Sequence, residues 1–208
     1  MSVRQIVGLV AIGLSLVLLT VLHVVGADID PVSGTLSDYA LRSYGWIFDV
    51  GTTVLAVGSV TLLGPALLRR VTVPVEAICF GCWCLGLVVL TVFPRDPVGV
   101  PVSLVGEIHR FAAVATLVGL PLGALLTAAR RPRHMLRVPA RAVTVGALVC
   151  LAALVPFVIS YLTGSPLKPY VGLIERLVSV GEIGLLLLVG LRLHRFAPAR
   201  SPEQGRPG

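Results

Sequence analysis

Phe93-Pro-Arg-Asp-Pro-Val-Gly-Val-Pro-Val-Ser-Leu-Val-Gly-Glu-Ile-His-Arg-Phe111 is the most polar interval in the middle of a chain that is otherwise nearly all hydrocarbon. It holds Arg95, Asp96, Glu107, His109 and Arg110, and long apolar runs flank it on both sides. Irregular backbone exposed to lipid leaves polar groups unsatisfied, so such an interval belongs outside the hydrocarbon. It reads as a loop joining two membrane spans, together with the start of the second of them.

Composition agrees. Of 208 residues, 56% are hydrophobic and only 13% are charged, against about 25% charged in a soluble domain. Mean hydropathy is +0.95. These values describe an integral membrane protein. The net charge of +7 would point to nucleic acid in a soluble chain. Here the basic residues sit beside apolar runs, so they orient the chain against an anionic leaflet, and no nucleic-acid partner is expected. Cys79, Cys82, Cys84 and Cys150 all fall inside apolar segments, so no disulfide framework is indicated. The run Cys79-x-x-Cys82-x-Cys84 reads as small packing residues.

Working outward, the pattern predicts an all-α polytopic membrane protein: a bundle of six transmembrane helices built from three helical hairpins. The spans are placed at about 6–26, 46–68, 71–93, 106–129, 142–162 and 171–193, with a basic, disordered tail over 194–208. Val25-Gly26-Ala27 has the small-residue look of a signal-peptidase site. The apolar run before it is about 20 residues, longer than a signal core, so it is read as a retained first helix. Pro156 predicts a kink in the fifth span. Ser37 or Asp38 predicts the start of a short interfacial helix with Asp38 and Arg42 paired at i,i+4. Asp30-Pro31-Val32 in the first loop echoes Asp96-Pro97-Val98 in the second.

Arginine placement sets the expected orientation. Arg4, Arg69, Arg70, Arg130, Arg131, Arg133, Arg137, Arg141, Arg192, Arg195, Arg200 and Arg206 all fall on one side. By the positive-inside rule that side is cytoplasmic, which puts both termini inside a plasma-membrane protein and three Pro-bearing loops outside.

The polar residues near the outer ends of the spans are the candidate site: Asp49, Asp96, Glu107, His109, Arg110, Glu175, Arg176 and Glu182, with His23 at the rim. Three helix N-termini face outward there, and their partial positive charge, with Arg42, Arg110 and Arg176, suits an anionic lipid headgroup. Glu182 lies about 11 residues into the last span, roughly 16 Å along the axis at 1.5 Å per residue. An ionised carboxylate at that depth costs at least about 2.5–3.5 kcal/mol unless paired or hydrated. Glu175, Ser179 and Glu182 follow i, i+4, i+7 and share a face, which must look into the bundle. His109, with Glu107 or Glu182, is the candidate proton-transfer pair. No HExxH and no i,i+4 histidine pair occurs, so neither a metal nor a cofactor is expected.

Asp30-Pro31-Val32-Ser33, Ser37-Asp38-Tyr39, Gly45-Trp46, Phe93-Pro94-x-Asp96 and Gly106-x-Ile108-His109 together resemble the six-helix bacterial and archaeal membrane family catalogued as domain of unknown function 998. The resemblance runs from Ile6 to about Leu193. It also extends, distantly, to six-helix proteins linked to lipid-anchor remodelling. It implies a fold and a membrane address and supplies no reaction. The residues themselves predict binding or transport of a lipid headgroup or other amphiphile, with membrane lipids as partners. The alternatives are a non-catalytic membrane scaffold or subunit, and an intramembrane hydrolase or transferase using His109 with a carboxylate.

Overall fold

The computed structural model describes residues 2–68, 72–97, 99–130, 140–163 and 168–193. Six long helices follow one another: α1 (Val3–Val25), α2 (Trp46–Leu68), α3 (Pro74–Val92), α4 (Leu104–Arg130), α5 (Ala140–Thr163) and α6 (Val171–Leu193). Short 3-10 helices occupy Leu36–Leu41 and Lys168–Tyr170. Among the described residues there is no strand. The tail over 194–208 and the arginine-rich link over 131–139 lie outside the described residues.

Five helices are long and apolar enough to cross a membrane: α1, α2, α3, α4 and Ala140–Ile159 of α5. The chain is a helical membrane protein. α6 equals α1 and α2 in length, at 23 residues, but carries Glu175, Arg176, Glu182 and Arg192.

Local chemistry sets several helix starts. Ser2 and Gln5 form a reciprocal cap on α1, with the Ser2 amide donating to Gln5 Oε1 at 2.7 Å. Pro74 opens α3, where its missing N–H costs nothing. α5 continues through Pro156 as helix, which a neighbouring bundle allows.

Small residues let the helices approach closely. A Cβ on Gly58 of α2 would stand 3.1 Å from the Gly8 carbonyl oxygen of α1, and one on Gly119 of α4 would stand 2.7 Å from the Cys79 carbonyl of α3. Trp83 reaches from α3 to α2, its indole N–H donating to Ser59 Oγ at 2.9 Å.

The interior is divided along the bundle axis. Toward the end that carries Arg4, Arg130 and Arg192, the core is dry: Leu63, Phe80, Leu120, Val143, Leu186 and Val189 are fully buried against one another. Glu76, at the start of α3, is also buried there. It meets Arg130 of α4 at 3.6 Å. The opposite end, under the long loops, holds a cavity in place of a packed core. A small second cluster of Leu22, Ile29, Tyr39, Ile47 and Phe48 seals the first loop onto α1 and α2. The outside is an apolar sheath that includes Val10, Val57, Ile78, Leu85, Val149 and Val180, a surface suited to lipid.

Candidate ligand cavity

The first loop is built on its own side chains. Asp30 accepts the Val32 amide at 3.0 Å and the Ser33 hydroxyl at 2.7 Å, a turn that aspartate favours. The Ser33 hydroxyl, followed by the Val32 amide, holds the Asp30 carboxyl below the ordinary carboxylate value. Asp38 caps the 3-10 helix Leu36–Leu41, accepting the Thr35 amide at 2.7 Å and the Thr35 hydroxyl at 2.9 Å. The expected Asp38–Arg42 pair does not form. Asp38 instead meets Arg95 of the second loop at 2.7 Å, and Arg42 meets Asp28 at 3.3 Å. A 3-10 helix has three residues per turn, so positions four apart are not stacked as they are in an α-helix.

Arg176 of α6 fastens this loop. Its guanidinium donates to His23 Nε2 at 2.8 Å and to the carbonyls of Gly34, Pro31 and Gly172 at 2.6, 2.8 and 3.0 Å. A fifth bond goes to the Tyr39 hydroxyl at 3.2 Å. A guanidinium only donates, so His23 accepts at Nε2 and donates from Nδ1 to the Leu19 carbonyl, 2.6 Å away. The neighbouring Glu175 accepts the Leu36 amide at 2.8 Å. Glu175 and Arg176 therefore tie α6 to the first loop separately.

The second loop closes on α4 through two of the motifs that carried the family resemblance. Asp96 accepts the Ser103 amide at 2.8 Å and the Ser103 hydroxyl at 2.7 Å. Ser103 Oγ in turn accepts the Gly106 amide at 3.1 Å, capping α4. Any Cβ on Gly106 would overlap the Asp96 carboxylate, so the glycine admits the aspartate. His109 lies one turn further along, with Nδ1 at 2.8 Å from the Phe93 carbonyl. A carbonyl only accepts, so Nδ1 carries the hydrogen and Nε2 keeps its lone pair. Phe-Pro-x-Asp and Gly-x-Ile-His are two halves of one joint. The two Asp-Pro-Val tripeptides use their aspartates differently: Asp30 turns back on its own loop and Asp96 reaches Ser103.

A pH dependence follows from this joint. The Ser103 amide, then the Ser103 hydroxyl, hold the Asp96 carboxyl below its ordinary value of 3.8, with Arg110 and Arg95 adding to the effect. A folded-state pKa below the unfolded one contributes stability above the unfolded value and loses it as pH falls through the folded value. The Ser103 amide NMR signal should therefore titrate with a midpoint below 3.8, and Asp96→Asn should abolish that titration. A midpoint at or above the ordinary value contradicts the cap.

Beneath the loops the cavity has a volume of about 1220 Å³. Phe48, Thr52 and Leu55 of α2, Trp83 and Leu87 of α3 and Leu117 of α4 form part of its wall. Its rim is charged: Asp38, Arg95, Asp96, Glu107 and Arg110. Glu175, Ser179 and Glu182 descend one face of α6 into it. Glu182 is 1% exposed, and its Oε1 has no hydrogen-bond partner among the described residues. Phe111, Val114 and Val158 line the cavity and are 74%, 51% and 37% exposed. Part of the lining on α4 and α5 is thus also outer surface.

A family model described as a protein of unknown function, DUF998, matches residues 9–192. The chain belongs to that family. Neither a curated protein nor a solved structure matches it significantly. In this DUF998 member, six of the residues singled out from sequence line the cavity: Asp96, Glu107, His109, Arg110, Glu175 and Glu182. Asp49, half-buried in the first turn of α2, is not on the lining. Nor are Arg176 and His23, which hold each other and the first loop. Arg95, Asp38 and Trp83 line the cavity without having been singled out. Arg95 lies about 60 residues from the first loop in sequence, and only folding brings it to Thr35, at 2.5 Å, and to Asp38.

Proposed function

We propose that the protein binds or transports a lipid headgroup or other amphiphile in this cavity, with all six helices spanning the plasma membrane and both termini cytoplasmic. The arginine distribution supports the orientation. It leaves the long loops, and the charged rim beneath them, on the outer side. α6 can span because its acids and arginines turn inward: Glu182 and Arg192 are each 1% exposed, while Leu177 and Val180 on the outer face are 64% and 66% exposed.

The observation that carries the reading is the two-part lining, a charged rim over apolar walls. Its volume of about 1220 Å³ exceeds the roughly 300–1,000 Å³ of ordinary small-molecule sites. A polar head held inside the cavity, with its chain leaving beside Phe111 and Val114, would use both parts of the lining and never expose hydrocarbon to water. One observation favours a catalytic variant: the His109 Nε2 lone pair, which suits a general base.

The test is to equilibrate the purified protein with a defined lipid mixture and identify the retained species by mass spectrometry. Selective, saturable retention of intact amphiphile is expected. Turnover products that disappear in His109→Ala would move the protein to the hydrolase or transferase class. Retention no more selective than that of an unrelated six-helix protein would leave only a scaffold.

A further inference from the structure

We infer that the amphiphile bound here carries a cationic amine and that Glu182 receives it. The inference rests on the amphiphile reading and names the chemistry of its head.

The first observation is charge. Asp38, Asp96, Glu107, Glu175 and Glu182 face the cavity, against two arginines, Arg95 and Arg110. Arg95 is committed to Asp38 at 2.7 Å, and Arg110 lies within electrostatic reach of Asp96. Arg176, the arginine best placed in sequence to meet an anion, points its guanidinium into the first loop. The lining therefore has no surplus positive charge to offer a phosphate or carboxylate, and has acids in excess.

The second observation is independent of the first and concerns donors and acceptors. Glu182 Oε1 is buried in the cavity wall and lacks a donor among the described residues. Above it, the Ser179 hydroxyl donates to the Glu175 carbonyl at 2.8 Å, leaving the Ser179 oxygen as an acceptor. His109 also lines the cavity, with Nδ1 bound to the Phe93 carbonyl. Glu182 Oε1 and the Ser179 oxygen thus offer acceptor sites on one face of α6. A buried acceptor without a donor is costly, and a buried carboxylate without a counter-charge is more so. An ammonium supplies up to three donors and the charge in one group. A sulfate, a phosphate or a second carboxylate supplies neither.

Trp83 lines the cavity and Trp46 lies on the outside, 61% exposed, so Trp46→Phe leaves one reporter in the site. The full-length Trp46→Phe protein in nanodiscs is titrated with dodecylamine, dodecyl sulfate and dodecanol. Saturable change in Trp83 fluorescence is expected for dodecylamine, with a Kd roughly tenfold or more below that of the other two, about 1.4 kcal/mol per tenfold. Glu182→Gln should erase that preference and leave dodecanol unchanged, whereas Glu182→Asp should keep it. Phosphatidylethanolamine vesicles that compete identify a lipid headgroup as the source of the amine. Competition absent, with dodecylamine still preferred, identifies a free amine amphiphile. Dodecyl sulfate or dodecanol binding as tightly as the amine overturns the inference and leaves amphiphile binding standing, as does a preference that survives Glu182→Gln. Saturable binding by none of the three overturns both. The comparison among the three probes needs no variant at Glu182, so a misfolded Glu182→Gln protein does not remove the test.

Discussion

Replacing Arg176 with alanine should lower the unfolding free energy by about 3 kcal/mol. The guanidinium joins α1, through His23, to three points of the first loop and to the first turn of α6. Each hydrogen bond from a charged group contributes about 1.5–3 kcal/mol. Bonds from one side chain share its desolvation and are not additive, so the expected loss is that of one or two of them rather than five. Lysine at this position recovers little, because a point charge on a flexible stem cannot serve acceptors spread around a planar fork. The comparison is Arg42→Ala, which removes a half-exposed pair with Asp28 worth about 0–1 kcal/mol. Thermal or denaturant unfolding in detergent should separate the two variants clearly. Equal losses would mean that Arg176 is a surface ion like any other.

Ser179→Trp should reduce amphiphile retention at least tenfold while the protein stays folded. Ser179 sits on the cavity wall between Glu175 and Glu182, and among the described residues its hydroxyl bonds to the carbonyl of its own helix. An indole there enters the cavity rather than a packed core, so the usual overpacking cost of about 1–3 kcal/mol is largely avoided. Val180→Trp is the control. Val180 is the next residue and faces outward at 66% exposure, so its indole meets lipid and retention should not change. Retention unaffected by Ser179→Trp would place the bound amphiphile elsewhere on the protein.

The helical class and the membrane-capable segments were legible because apolar runs of about 20 residues have few other uses. The family was legible from five short motifs, and the fold explains why two of them, Phe-Pro-x-Asp and Gly-x-Ile-His, travel together. Gly106 makes room for the Asp96 carboxylate, and His109 takes the Phe93 carbonyl. Glu182 was legible too, because a carboxylate that deep in an apolar helix must face inward. The partners of Arg176 were not. Three of its five acceptors are backbone carbonyls, and sequence carries no sign of which carbonyl a loop will present. Likewise, Asp38 was matched with its near neighbour Arg42, because spacing rules describe contacts within one helix. Its partner, Arg95, comes from another loop. The chemistry of the head also changed on folding. Arg176 counted toward an anion site while it was only a letter near a helix start, and it left that count once its hydrogen bonds were known.

Cysteine labelling from outside intact cells tests the hydrated cavity and the orientation together. With the four native cysteines replaced, Ser179→Cys and Val180→Cys are each exposed to a charged, membrane-impermeant thiol reagent. If the proposed orientation holds, Ser179→Cys should react, because its side chain borders the cavity beneath the long loops, and Val180→Cys should stay silent in lipid. A silent Ser179→Cys in a folded protein, or equal reaction at both positions, would contradict a polar recess reached from the cell exterior.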